Sequence, residues 1–463
     1  MASKRASRWY IALIVVLTLY ATYRCTLHLM VKAKLDEIRR QGYPVTLAEL
    51  DKWYAQPPPG ENATDVYTSA FAHFSLFKLG PDDVRSKSEN IQYRLVPYAG
   101  KGKAPHDNDP LSEDVKMAIS AYLNSNDTAV TLLMKAVAIK NCVFPLNSSE
   151  GEEMKVPHIW KVKDAAHLLQ LRAILCAETN DADSAERSLL ALVDLANSLT
   201  NELLCIDQTR QIDCLFMAKE SLQRMLNRIA LTDTQLTRLA PICDVGQSLH
   251  TLHRMLLGQR CFGIVVFDKL RRDSWREAQG DNGYVGGDLN GYDPPVRSLI
   301  VYRALGWLDL DFLHYLDRYA ELVQTARSDF FTGRGLVRKP YYSDTIRKDC
   351  MVAWYQLCGF EQLQIRQVQS IALTRVIRTV LALERYRTSR GTLPDNLTDL
   401  CPVFLESVPE DPYDSRPLRY KKLPEGYVVY SIGGDCVDNG GTQTDKYDRE
   451  YMPGTDITFT VER

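Results

Sequence analysis

The sequence predicts a mainly α protein: an N-terminal membrane helix, an irregular antiparallel helical array, and a C-terminal α+β module of one long helix plus a small antiparallel sheet. Three observations carry this. Basic Lys4, Arg5 and Arg8 lead into an apolar run over residues 9–21. Over residues 111–360, apolar side chains recur at spacings of three and four, the period of a helix face. Beyond Leu363 one further helical stripe gives way to short alternating runs, the period of a half-buried strand.

Taken in order, residues 1–8 read as a cytoplasmic tail and 9–31 as a single-pass transmembrane anchor. A spanning helix needs about 20 apolar residues. The run meets Arg24, whose long side chain can reach back to the headgroups, and continues over the mostly apolar 25–31. Tyr20-Ala21-Thr22-Tyr23 lacks the small residues of a signal-peptide cleavage site, so the anchor is expected to stay attached. The basic start places the bulk of the chain outside the cytoplasm, on the periplasmic side. Arg24, Lys32, Lys34, Arg39 and Arg40 on the other flank weaken that signal.

Residues 32–60 form a juxtamembrane helix, stopped at Gly42, and a stiff spacer at Gln56-Pro57-Pro58-Pro59-Gly60. Residues 61–360 form the helical body. Its clearest part is a hairpin over 164–199. Leu168, Leu171 and Leu175 line one helix, and Thr179-Asn180-Asp181 makes the turn. Ala185, Leu189, Leu192, Ala196 and Leu199 line the second helix, with Asp183 and Glu186 as its capping pair. A further helix start stands at Thr232-x-x-Gln235. The hairpin is similar in flavour to a tetratricopeptide unit, but no period of about 34 residues recurs. A long Gly-rich loop covers 280–295.

The chain carries 56 basic and 58 acidic residues, a balance that argues against a nucleic-acid surface. None of its 11 cysteines forms a Cys-x-x-Cys pair, and Cys176, Cys205, Cys214 and Cys261 read as small buried hydrophobes. His250 and His253 share a helix face, but no third ligand is evident. No nucleophile elbow, phosphate loop or kinase signature is present, so no catalytic or cofactor-binding residue is assigned.

Residues 361–463 form the C-terminal module. Leu363, Val368, Ile371, Val376, Val380, Leu383 and Tyr386 line a helix ending near Gly391, and strands are expected at 418–420, 427–431 and 457–461. Between the last two strands lies Asp435-Cys436-Val437-Asp438-Asn439-Gly440-Gly441. Calcium takes six to eight hard oxygen ligands, and this loop offers carboxylates, an amide and flexible glycines. Asp456, and more weakly Asp445 and Asp448, would close the shell. Asp, Asn and Gly also favour solvated turns for backbone reasons alone.

Several motifs fall in order here: Ala382-Leu383-Glu384-Arg385-Tyr386, Gly391-Thr392-Leu393-Pro394, Val408-Pro409-Glu410-Asp411-Pro412-Tyr413, Tyr430-Ser431-Ile432-Gly433-Gly434-Asp435 and Thr455-Asp456-Ile457. Together they resemble the major pseudopilin of type II secretion systems. The resemblance implies a long helix on a small sheet and a calcium-organised loop, with Asp435, Asp438 and Asp456 as ligands. The membrane segment is not continuous with the pilin-like helix, and no leader-processing site is visible near the N-terminus. Polymerisation into a pseudopilus is therefore not expected. The functional expectation is a membrane-anchored, extracytoplasmic scaffold or interaction protein of a bacterial envelope with a protein partner. The alternatives are an accessory component of a type II secretion or pilus-like system, and an envelope enzyme of unknown reaction.

Overall fold

The structure, a computed structural model, describes residues 2–54, 56–58, 60–74, 94–100, 102–103, 109–146, 156–245, 249–272, 296–325, 350–442 and 456–463. The loop at 280–295, Asp445 and Asp448 lie outside the described residues.

The expected anchor and juxtamembrane helix are one unbroken helix, α1 (Ala2–Arg40), ending before Gly42 at φ +81°. Within it, Arg8–Arg40 is long and apolar enough to cross a membrane. The helix has two environments. Trp9 to Leu19 stand open, with Trp9 76% and Leu19 65% exposed, whereas Leu27, Val31 and Ile38 are buried in the body.

The body follows as α2 (Leu47–Trp53), α3 (Thr64–Ala72), α4 (Glu113–Ser125), α5 (Asp127–Ala136), α6 (His158–Glu178), α7 (Ala182–Asn197) and α8 (Cys205–Arg228). Then come α9 (Asp233–Arg238), a 3-10 turn, α10 (Leu249–Arg272), α11 (Val296–Ala304), α12 (Trp307–Thr325) and α13 (Met351–Arg390). The expected hairpin is α6 and α7, turned at Asn180 with φ +60°, a conformation asparagine tolerates. Its cap differs from expectation. Asp181, not Asp183, caps α7 by accepting from the Ser184 amide at 3.0 Å. Asp183 instead accepts from Gln235 Nε2 at 2.8 Å, and Glu186 takes a two-pronged contact from Arg238 at 2.5 and 2.7 Å. Both acids of the sequence pattern therefore hold α9 against α7. The Thr232/Gln235 capping box forms at α9 as expected.

The module helix α13 starts at Met351, upstream of the expected Leu363, so position 361 lies inside it. It ends at Gly391 with φ +74°, the left-handed cap that glycine adopts without strain. Three antiparallel strands follow, β1 (Arg419–Leu423), β2 (Gly426–Ser431) and β3 (Ile457–Glu462), in spatial order β1-β2-β3. Tyr427 pairs with Val461 and Val429 with Phe459, and these four side chains are fully buried.

The sheet does not build a separate core. Leu189, Leu222 and Leu226 of the body join Val376 and Val380 of α13 and Tyr427 and Phe459 of the sheet in one cluster. A second cluster joins Leu27 and Val31 of α1 to Phe267 of α10, Phe312 and Tyr315 of α12 and Leu357 of α13. Helix α13 thus runs from the core built on α1 to the sheet.

Candidate functional site

The acidic C-terminal loop gathers three of its expected residues around one turn. Asp435 accepts from the Val437 amide at 3.1 Å and Asp438 from the Gly440 amide at 2.9 Å. Asp456, just before β3, accepts from the Asn439 amide at 3.3 Å and the Gly441 amide at 2.7 Å. These are turn-forming contacts of short acidic side chains. The Gly440 amide holds the Asp438 carboxyl below its ordinary range. Burial pushes Asp456 up, and the charges of Asp438 and Asp435 add to this. Basic groups of β1 also face the loop: Lys421 Nζ donates to Gly440 O at 2.9 Å, and Arg419 Nε lies 3.8 Å from Asp438 Oδ2.

A tighter constellation lies in the body, where sequence reading found none. Tyr54 closes α2, His158 opens α6, Glu202 sits in the turn after α7, and Asp207 lies in the first turn of α8. The ligand atoms of His158, Glu202 and Asp207 lie within 4.8 Å of one another, and all three residues are buried. His158 Nε2 stands 3.1 Å from Asp207 Oδ1. The outer contacts are backbone and hydroxyl donors. Phe144 N donates to Glu202 Oε1 at 3.0 Å, Tyr54 Oη to Glu202 Oε2 at 2.7 Å, and Leu204 N to Asp207 Oδ2 at 3.2 Å. The His158 ring stacks on Phe144 with centroids 4.5 Å apart and planes 5° apart.

Electrostatics follow from burial. Loss of water drives the Glu202 carboxyl well above its ordinary range, the Asp207 charge adds to this, and Arg254 opposes it. Tyr54 is raised for the same reason, with Glu202 as the charge beside it. Arg254 packs over Trp53 at 4.6 Å and donates to Asn201 O at 3.2 Å. One imidazole and two carboxylates with oriented outer donors make a metal-ligand set. Among the described residues it is the one group of three His, Cys, Asp or Glu side chains with this convergence.

No short motif announces this group, because His158 is remote in sequence from Glu202 and Asp207. One signal was present. Glu202 and Asp207 bracket the apolar Leu203-Leu204-Cys205-Ile206, and acids set in apolar sequence need partners when they are buried. The histidine pair contributes nothing comparable. The His250 side chain lies outside the description, and His253 packs edge-on against Tyr43 at 5.7 Å. The thiols of Cys205, Cys214 and Cys261 are pushed up to about 12 by burial, in line with their reading as packing residues. No family model, curated protein or solved structure matches this chain.

Proposed function

We propose that this chain is a membrane-anchored, extracytoplasmic scaffold whose helical head is held flush against the bilayer and offers its outer surface to a protein partner. The observation that supports this is the junction between α1 and the α11–α12 corner. Tyr20 Oη donates to Ala304 O, Arg24 Nη1 donates to Arg303 O at 2.5 Å, and Arg24 pairs with Asp309 at 3.1 Å. Beside that junction Ile300, Val301, Leu305, Trp307 and Leu310 are exposed. Apolar residues with a tryptophan, at the level where a spanning helix meets the head, suit the headgroup region.

Carbonate extraction of membranes holding the full chain tests the anchor, and full release of the protein overturns it. Protease protection of sealed vesicles tests the side, and digestion of the head from the cytoplasmic face overturns the extracytoplasmic placement. Crosslinking from membranes, with and without chelator, tests the scaffold reading. Recovery of no partner above an anchor-only control counts against it.

A second reading, an accessory component of a secretion or pilus-like machine, is supported by the long helix α13 packed on a three-stranded antiparallel sheet. In that reading calcium binds Asp435, Asp438 and Asp456. Equal melting temperatures for the wild type and an Asp435→Ala, Asp438→Ala variant in calcium would reject the site.

A further inference from the structure

We propose that His158, Glu202 and Asp207 form a buried structural site for a divalent transition metal of the zinc class, binding α6 to the turn between α7 and α8. This stands apart from the acidic C-terminal loop and does not depend on the scaffold reading.

The size is right. Zinc bonds to imidazole nitrogen and carboxylate oxygen are roughly 2.0–2.2 Å, which sets neighbouring ligand atoms of a tetrahedral site about 3.3 Å apart. His158 Nε2 and Asp207 Oδ1 are 3.1 Å apart, and the third ligand atom lies within the same 4.8 Å span. The ligand chemistry selects the ion. Calcium requires six to eight oxygens, and magnesium keeps several waters in an octahedral shell. A buried centre with an imidazole and two carboxylates supplies neither, and it suits zinc or cobalt.

The surroundings are built for ligands rather than for a simple ion pair. Tyr54 Oη, Phe144 N and Leu204 N each direct one hydrogen bond onto a carboxylate oxygen, which fixes both acids in place. The Phe144 ring fixes the imidazole plane. Two carboxylates packed against one imidazole away from water are neutralised either by a proton, as in the metal-free rival, or by a dication. Five segments meet here: the end of α2, the stretch around Phe144, the start of α6, the turn after α7 and the start of α8. A metal at their junction would contribute directly to folding.

The rival is a metal-free hydrogen bond between His158 and Asp207 beside a protonated Glu202. The two differ in measurable ways. The full chain is purified in detergent without chelator, assayed for bound metal by mass spectrometry, then stripped and titrated with zinc and with cobalt. The expected result is one metal per chain, a rise in melting temperature with zinc, and the visible absorption of four-coordinate cobalt, its fourth position filled by water. Glu202→Gln should abolish the cobalt bands and the zinc-induced rise. Tyr54→Phe keeps all three ligands and should weaken metal affinity by about 10–100-fold, so it provides a readout if Glu202→Gln fails to fold. A folded wild-type chain that takes up neither metal, with Glu202→Gln melting at or above the wild-type temperature, overturns the site in favour of the rival.

Discussion

Asp411, wholly buried, holds Arg419 Nη1 at 2.8 Å, tying the segment before β1 to the first strand. Its carboxylate also accepts from Ser431 Oγ at 2.9 Å, Ile432 N at 2.9 Å and Tyr413 N at 3.0 Å. One side chain thereby joins the ends of β1 and β2. Asp411→Ala would leave Arg419 with Asp414 as its close partner and strand two buried donors, Ser431 Oγ and Ile432 N. The expected loss is about 2–4 kcal/mol, from the unsatisfied donors and the lost charged hydrogen bond. Urea unfolding of the full chain in detergent reads it, and a loss below about 1 kcal/mol would contradict this account.

Glu384 plays the matching part between α13 and the chain's end. It accepts from Tyr427 Oη at 2.6 Å, Arg387 Nη2 at 2.6 Å and Arg463 Nη2 at 2.8 Å. Arg463→Ala leaves two of these partners in place. The expected cost is roughly 1.5–3 kcal/mol, the range for a hydrogen bond to a charged group. Thermal melting checks it, and an unchanged midpoint would show that the last residue is dispensable.

Asp311 should make stability depend on pH in an unusual direction. It is buried and accepts from Tyr302 Oη at 2.8 Å, Val352 N at 2.8 Å and Ala353 N at 2.9 Å. Burial outweighs these contacts and raises its carboxyl to about 6. The unfolded value is about 3.9, so between pH ~4 and ~6 the folded chain holds the extra proton. Stability from this group is greatest below pH ~4 and falls as pH rises to ~6, by about 2–3 kcal/mol. Asp311→Asn should remove that decline. Unfolding curves at pH 4.5 and 6.5 test it, and parallel pH trends in both proteins would refute it.

Gly263 in α10 faces Tyr315 of α12, and a β-carbon there would meet Tyr315 Oη at 1.9 Å. Tyr315 is buried and donates to Arg260 O at 3.1 Å. Gly263→Ala would push the phenol out of its place, at an expected cost of about 1–3 kcal/mol from overpacking. A melting temperature equal to or above the wild type would mean the two helices separate freely.

Periodicity carried much of the fold. The α6–α7 stripes, the Thr232/Gln235 box, the glycine stop at Gly391 and the three strand runs all depend on local spacing, which is visible in sequence. The Asp183/Glu186 pattern misled because the same two acids serve a neighbouring helix, a choice set by tertiary contacts with Gln235 and Arg238. The start of α13 was missed for a related reason. Val352, Ala353 and Leu357 lie buried in the cluster that α13 shares with α12, and their pattern makes sense only once that helix is in place. The buried group at His158 was illegible because its members converge from three segments. Only the oddity of two acids in an apolar stretch hinted at it.

The unbroken course of α1 has a geometric consequence for anything that approaches this molecule. In the membrane-anchored reading proposed above, a helix already held by the head from Tyr20 to Ile38 would leave hardly any stalk beyond the lipid, at about 1.5 Å per residue. On that reading the head would have little room to swing, and rotation of the helix about its own axis would turn the whole head like a key.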